Sequence, residues 1–147
     1  HIIENKAGIN NFTSIKKTYQ ENKIDYELFE YNEDVSIFME KSNLCITRAG
    51  ATTLAELVFL NLPHVAIPLP SSKDNHQFEN ANFYNEIGCN WILNQNTINE
   101  DKMVSFLTNI IENKKEYNER LIKMENFSYQ NSWNNINLKI NSIINEN

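Results

Sequence analysis

Short apolar runs alternate with longer amphipathic segments along the chain, and this alternation constrains the fold more than any other feature. Residues 44–47, 64–67 and 91–93 have strand length, and 44–47 is expected to be a compact buried strand. Residues 53–60 and 74–87, which lie between these runs, have helical length. Strands separated by helices are typical of βαβ units, in which helices cover both faces of a parallel sheet. The sequence therefore predicts an α/β fold with a doubly wound parallel sheet.

The segments before and after this core extend the same pattern. The elements expected before it are a strand tail at 2–3, a helix capped by Asn10 or Asn11, a strand over 26–31 and a short helix over 35–41. From Asn99 onward we expect helices broken near Asn113 and near 127–131. Because the chain opens within a strand, we expect a single domain over 1–147, part of a longer protein, that lacks the first strand and helix of a doubly wound unit.

The charge balance bears on the partners of the chain. Its 147 residues include 13 Lys and Arg against 19 Asp and Glu, for a net charge of −6. An acidic chain is a poor candidate for binding a phosphate backbone, because that affinity comes from clustered Lys and Arg. No run is long and apolar enough to span a bilayer. We therefore expect a soluble globular domain that does not bind nucleic acid.

The Cys and His residues predict no metal centre or other cofactor. Cys45 and Cys89 lie far apart within apolar stretches, so we expect buried free thiols rather than a disulfide or a zinc site. His1, His64 and His76 show no spacing typical of metal ligands.

The first candidate site begins at Arg48, directly after the expected strand over 44–47. Ligands of open α/β sheets bind beyond the carboxyl ends of the strands. We expect Gly50 to adopt a backbone conformation closed to other residues and to let a ligand approach the main chain. The helix that follows would direct its free N–H groups at a ligand, which suits a diphosphate. Thr52 and Thr53 add hydroxyl donors.

Glu56 and Arg48 each have two interpretations. The Glu56 carboxylate can accept both hydroxyls of a ribose, but Thr53 and Glu56 also have the spacing of a capping box, and spacing alone favours the cap. Arg48 can pair with a phosphate or with a nearby acidic side chain, and the sequence does not choose between them.

A second candidate site follows the next expected strand, in the segment 68–77. Asp74 is a good helix cap and Gln77 stands three residues later, so Gln77 also has a capping interpretation. The functional interpretation makes His76 and Gln77 partners of sugar hydroxyls. Asn80 lies one turn further along the helix and suits either role.

Three segments together resemble the MurG family of GT-B glycosyltransferases. Residues 47–56 are similar to the family's donor-nucleotide motif, 62–70 to the strand and loop after it, and 74–81 to its sugar-contacting helix start. Their order and spacing agree, and residues 31–35 resemble the family's uracil-contacting loop. The resemblance covers nearly the whole chain and implies the Rossmann-like carboxy-terminal domain of the GT-B fold, which holds the UDP-sugar.

The resemblance also implies a function and its residues. The whole enzyme would transfer N-acetylglucosamine from UDP-N-acetylglucosamine to lipid I, forming lipid II, by an inverting reaction that needs no metal. Asn32 would contact uracil through its backbone, Ala51 and Thr52 the diphosphate, Glu56 the ribose, and Gln77 with His76 the sugar. The implied donor-binding residues are Tyr31, Asn32, Val35, Arg48, Gly50, Ala51, Thr52, Thr53, Leu54, Ala55, Glu56, His76, Gln77 and Asn80.

The family's other domain carries the remaining functions. The lipid I site, the surface that docks on the cytoplasmic face of the bacterial inner membrane and the general base all belong to that amino-terminal domain, which we expect to be absent here. We therefore assign no catalytic residue and expect the chain alone to be inactive. Two alternatives remain: the soluble UDP-sugar-binding subunit of a split glycosyltransferase, and a nucleotide-binding module without enzymatic activity.

Overall fold

The computed structural model describes residues 2–4 and 9–145, which form two compact units, His1–Lys41 and Ser42–Asn147. The elements of the first unit are β1 (Ile2–Glu4), α1 (Ile9–Glu21), β2 (Glu27–Phe29) and α2 (Ser36–Glu40). β1 and β2 pair in parallel. The predicted elements of this unit are confirmed, but the predicted cap is wrong, because α1 begins at Ile9 and so includes Asn10 and Asn11.

The second unit contains a three-stranded parallel sheet and most of the helices. Its elements are β3 (Cys45–Thr47), α3 (Ala51–Phe59), β4 (His64–Ala66), α4 (His76–Glu86), β5 (Asn90–Ile92), α5 (Glu100–Glu112), α6 (Lys114–Gln130) and α7 (Trp133–Asn145). The strand order is β3-β4-β5. The predicted α/β fold with a parallel sheet is confirmed, as are the helix breaks near Asn113 and in 127–131.

Two apolar clusters form the core of this unit. Val65 of β4 and Trp91 of β5 are partners in the sheet register and pack with Ile110 of α5. Val58 of α3 and Met124 of α6 form the second cluster with Cys89. β4 is the middle strand and is buried throughout, whereas β3 lies at an edge of the order and Ile46 is 47% exposed. The prediction that 44–47 is a buried strand is therefore wrong at that residue.

Asparagine side chains cap the two helices that follow the sheet. Asn99 Oδ1 accepts the N–H of Lys102 at 2.9 Å at the start of α5, and Asn113 Oδ1 accepts the N–H of Glu116 at 3.2 Å at the start of α6. Each bond satisfies a donor of the first helical turn that has no partner within the helix. The predicted helix start at Asn99 is confirmed. None of the helices in the described part of the chain is long and apolar enough to cross a membrane.

Candidate functional site

The carboxyl ends of the three strands of the second unit lie in register at one edge of the sheet. Thr47 of β3 pairs with Ala66 of β4, and Ala66 pairs with Ile92 of β5. The backbone bonds continue one residue further, since Ile67 N–H donates to Thr47 O at 2.8 Å and Leu93 N–H to Ala66 O at 2.9 Å. The two candidate segments predicted from the sequence therefore leave the sheet at the same edge, where open α/β sheets bind their ligands.

The amino terminus of α3 lies directly after the end of β3. Gly50 is the N-cap, and no side chain caps the helix. The first bond of the helix runs from Leu54 N–H to Gly50 O at 3.0 Å, so the N–H groups of Ala51, Thr52 and Thr53 precede the helical ladder. No acidic residue lies in the first turn, and Ala51 and Thr52 are exposed. This helix end therefore keeps its positive partial charge and its donors for an anion.

Gly50 does not have the backbone conformation that the sequence predicts. Its φ is −69° and its ψ is 134°, which any residue can adopt. A Cβ atom at this position would meet Thr53 Oγ1 at 3.7 Å, an ordinary contact. The prediction of a conformation closed to other residues is therefore wrong, and neither backbone strain nor crowding by the described residues requires a glycine here.

Glu56 is not part of a capping box. α3 begins at Ala51, two residues before the predicted start, so Thr53 is the third residue of the helix and not its cap. The capping interpretation is therefore wrong for both residues. Glu56 is exposed, and its carboxylate forms no hydrogen bond or ion pair with the described residues. Leu54 is fully buried in the core, so that only its backbone can reach a ligand, whereas Ala55 is exposed.

The capping interpretation of Asp74 and Gln77 is also wrong. Asp74 and Asn75 both have left-handed backbone angles, with φ of 51° and 55°, and α4 begins at His76 without a side-chain cap. Gln77 instead turns toward the preceding loop, where its Oε1 accepts the N–H of Leu69 at 2.9 Å. The Gln77 Nε2 group forms no hydrogen bond within the described residues, so its two N–H donors are available.

His76 is held by the turn that precedes it. Its Nδ1 lies 2.6 Å from Lys73 O. Because a carbonyl oxygen only accepts hydrogen bonds, Nδ1 carries the proton and Nε2 is the acceptor of the neutral ring. The side chain is exposed. His76 can therefore accept a hydrogen bond from a hydroxyl group.

Hydrogen bonds between side chains and backbone join the two candidate segments. Asn80 Nδ2 donates to Ala49 O at 3.1 Å, which ties α4 to the turn before α3. Arg48 Nη1 donates to Ile67 O at 3.1 Å and to Gln95 Oε1 at 2.6 Å. Of the two interpretations of Arg48, pairing with an acidic side chain is not found among the described residues. Sequence reasoning missed Gln95, because an isolated Gln in an exposed segment carries no recognisable signal.

The predicted uracil-contacting residues belong to the first unit. Asn32 Oδ1 accepts the N–H of Asp34 at 2.9 Å, so this side chain is engaged within its own turn. Tyr31 is 74% exposed, and Val35 occupies the N-cap position of α2.

The two cysteines are free, Cys89 buried and Cys45 half-buried. Burial raises the pKa of each thiol to about 11, so both are protonated at neutral pH and neither is an activated nucleophile.

Within the described residues no group of three His, Cys, Asp or Glu side chains could hold a metal ion. His1 lies outside the described residues.

Comparison with known proteins places these residues among glycosyltransferases. The model of the family "Glycosyltransferase family 28 C-terminal domain" matches residues 3–134. The UDP-N-acetylglucosamine–N-acetylmuramyl-(pentapeptide) pyrophosphoryl-undecaprenol N-acetylglucosamine transferase of Pelagibacter ubique (strain HTCC1062) is 59% identical over 137 residues, which are 93% of this chain and 38% of that protein. The enzyme of the same name from Rickettsia canadensis (strain McKiel) is 37% identical over 78% of this chain and 32% of its own length.

Solved structures agree with these sequence relatives. The crystal structure of Acinetobacter baumannii MurG matches with a TM-score of 0.71 and 26% identity over 84% of this chain and 36% of that chain. The solution structure of ALG13, at 20% identity and a TM-score of 0.51, shows the fold alone. The chain thus spans 38% of the length of its Pelagibacter relative, 32% of the Rickettsia enzyme and 36% of the Acinetobacter MurG chain.

Proposed function

The chain belongs to the glycosyltransferase family 28 C-terminal domain family, and from this premise we propose that it is the donor-binding part of an inverting transferase that uses UDP-N-acetylglucosamine. The acceptor of the whole enzyme would be N-acetylmuramyl-(pentapeptide) pyrophosphoryl-undecaprenol, or lipid I, as the names of the relatives state. The observation that carries the proposal is the uncapped start of α3 at the carboxyl edge of the sheet, beside a free Glu56 and the start of α4.

The donor diphosphate would bind at the start of α3. The N–H groups of Ala51, Thr52 and Thr53 have no partner in the helical ladder, and the helix dipole favours negative charge there. Gly50 has no side chain, so a phosphate oxygen can approach the main chain closely. Arg48 adds a permanent positive charge three residues before the helix begins.

The ribose and the sugar would be bound by Glu56 and Gln77, the two side chains for which the sequence also offered a role as helix caps. Glu56 lies one turn after the free N–H groups, and its unpaired carboxylate can accept both ribose hydroxyls. Gln77 keeps two N–H donors while its oxygen holds Leu69, and His76 Nε2 can accept from a sugar hydroxyl. We infer that Asn80 supports this arrangement through its bond to Ala49.

The uracil would contact the loop of the first unit. The Asn32 side chain is engaged with Asp34, so the contact to the base falls to the Asn32 backbone, with Tyr31 and Val35 beside it. We propose that the whole chain acts as a single donor-binding domain.

Transfer in the whole enzyme would be a single displacement with inversion. The acceptor hydroxyl oxygen attacks the anomeric carbon, the bond from that carbon to the diphosphate oxygen breaks, and UDP leaves with the electron pair. The hydroxyl proton passes to a base that we do not assign to this chain. The N–H groups at Ala51 and Thr52 stabilise the charge that develops on the leaving diphosphate, because they are aimed at it before the reaction begins.

The product would be lipid II, so the whole enzyme would serve peptidoglycan synthesis at the cytoplasmic face of the bacterial inner membrane. Roles in cell shape and cell division follow from that assignment. Contacts with the membrane and with lipid I would be made by parts of the enzyme that this chain does not include.

Isothermal titration of the chain with UDP-N-acetylglucosamine and with UDP-glucose tests the proposal. We expect both to bind and the N-acetylated donor to bind more tightly. Equal affinities for the two donors would contradict the assignment of N-acetylglucosamine as the sugar. No detectable binding of either donor would contradict the proposed donor site. Incubation with lipid I then distinguishes a donor-binding part from a complete enzyme, because turnover by this chain alone would show that it holds a general base.

A further inference from the structure

Gln95 ties the segment after β5 to the candidate site. Arg48 Nη1 donates to its Oε1 at 2.6 Å and to Ile67 O at 3.1 Å. Arg48 follows β3, Ile67 follows β4 and Gln95 follows β5, so these two bonds join the ends of all three strands of this sheet. Since a guanidinium group only donates hydrogen bonds, the atom of Gln95 that faces it must be the oxygen.

The two bonds use one nitrogen of the guanidinium group and leave the other two free. Nη1 carries two hydrogens, which match its two acceptors. Within the described part of the chain nothing accepts a hydrogen bond from Arg48 Nε or Nη2, and the side chain is exposed. Nε and Nη2 form one edge of the group, and such an edge matches two oxygens of a phosphate. Arg48 is thus held by one nitrogen and keeps an intact edge for a bidentate bond.

We propose that Gln95 is a positioning residue for diphosphate binding, which acts through Arg48 and does not itself touch the ligand. This inference rests on the proposed function, because it requires a nucleoside diphosphate at the start of α3. A free Arg side chain loses rotamer freedom when it binds. Gln95 and Ile67 O restrict Arg48 before the ligand arrives, so that less of this cost falls on the binding step.

The variant Gln95→Ala tests the proposal, with Asn96→Ala as its matched control. Asn96 is an exposed amide next to Gln95, and its side chain forms no hydrogen bond with Arg48 or any other described residue. NMR titrations would compare UDP with uridine, which has the same base and ribose but no phosphate. We expect Gln95→Ala to weaken UDP binding about two- to tenfold, the ordering cost of one long side chain, and to leave uridine binding unchanged. Equal losses for UDP and uridine would show a general structural role and overturn the proposal.

A double-mutant cycle tests whether the effect passes through Arg48. In an Arg48→Ala background, Gln95→Ala should weaken UDP binding no further, because the group that it positions is already absent. A further loss of the same size would mean that Gln95 acts by another route, and the proposal would be wrong.

Failure of the proposed function would be recognised separately. If the wild-type chain binds neither UDP nor uridine, the donor assignment is wrong, and a titration with inorganic pyrophosphate decides the role of Gln95. A shift of the Arg48 Nε–H signal that is weakened in Gln95→Ala but not in Asn96→Ala supports the positioning role. The same response in all three chains, or no response in any of them, overturns it.

Discussion

Replacing Glu56 by alanine separates ligand binding from helix capping. The carboxylate is exposed and unpaired within the described structure, so its removal breaks no bond there. If Glu56 binds the ribose hydroxyls, the variant loses a charged hydrogen-bond partner worth about 1.5–3 kcal/mol. The dissociation constant for UDP should then rise by about ten- to 150-fold. Isothermal titration with UDP measures this change directly.

The same variant should leave the fold intact. Exposed substitutions without a structural contact change the free energy of unfolding by about 0.5 kcal/mol or less, and alanine is a good helix former. Glu125→Ala is the matched control, since Glu125 is an exposed glutamate on α6. Equal affinity of Glu56→Ala and the wild type for UDP would refute the ribose contact. If the free energy of unfolding of Glu56→Ala were lower by about 1 kcal/mol and UDP binding were unchanged, Glu56 would instead be a capping residue.

Three further substitutions test other parts of the structure. Gln77→Ala should weaken binding of UDP-N-acetylglucosamine while leaving UDP unchanged, because it removes the sugar contact and frees Leu69 N–H; the ratio of the two affinities by titration is the readout. Burial lowers the pKa of His64 below its ordinary value of about 6.5, so the folded chain keeps the ring neutral where the unfolded chain begins to bind a proton. The free energy of unfolding should therefore decrease as the pH falls below about 6.5. Urea denaturation over this range should show the loss, and His64→Gln should flatten it. Gly50→Asp should stabilise the chain by about 0.3–1 kcal/mol by capping α3, yet weaken UDP binding, and a thermal melt that shows no gain would count against the cap geometry.

The sequence predicts the order of the elements well because strands and helices differ in the spacing of their apolar residues. Val65 and Ala66 of the middle strand β4 belong to a short apolar run that is buried throughout. Asn99 and Asn113 are polar residues that directly precede helices, and both cap them. The partial exposure of β3, in contrast, was not predicted. An apolar run predicts burial only if both faces are covered, and the position of a strand at the edge of a sheet is decided by tertiary pairing.

The two candidate segments meet as the sequence predicts, but local rules explain their helix starts wrongly. The segments 48–56 and 68–80 do meet at one edge, as the βαβ pattern requires. Thr53 and Asp74 have the chemistry of helix caps, but α3 starts earlier and α4 starts later than these residues suggest. Gln95 lies 47 residues from Arg48, and no local pattern connects two residues at that distance.

The distribution of caps within the second unit gives these errors a common physical cause. At the starts of α5 and α6, the side chains of Asn99 and Asn113 satisfy first-turn donors. α3 and α4 follow β3 and β4 at the carboxyl edge of the strands, and no side chain caps either of them. A capping side chain on α3 would occupy the N–H groups that an anion needs, so stability and binding compete for the same donors. α3 and α4 lack the stabilising contact of a side-chain cap at positions where a ligand can supply the missing acceptors. Local rules of sequence therefore fail at those two helix starts.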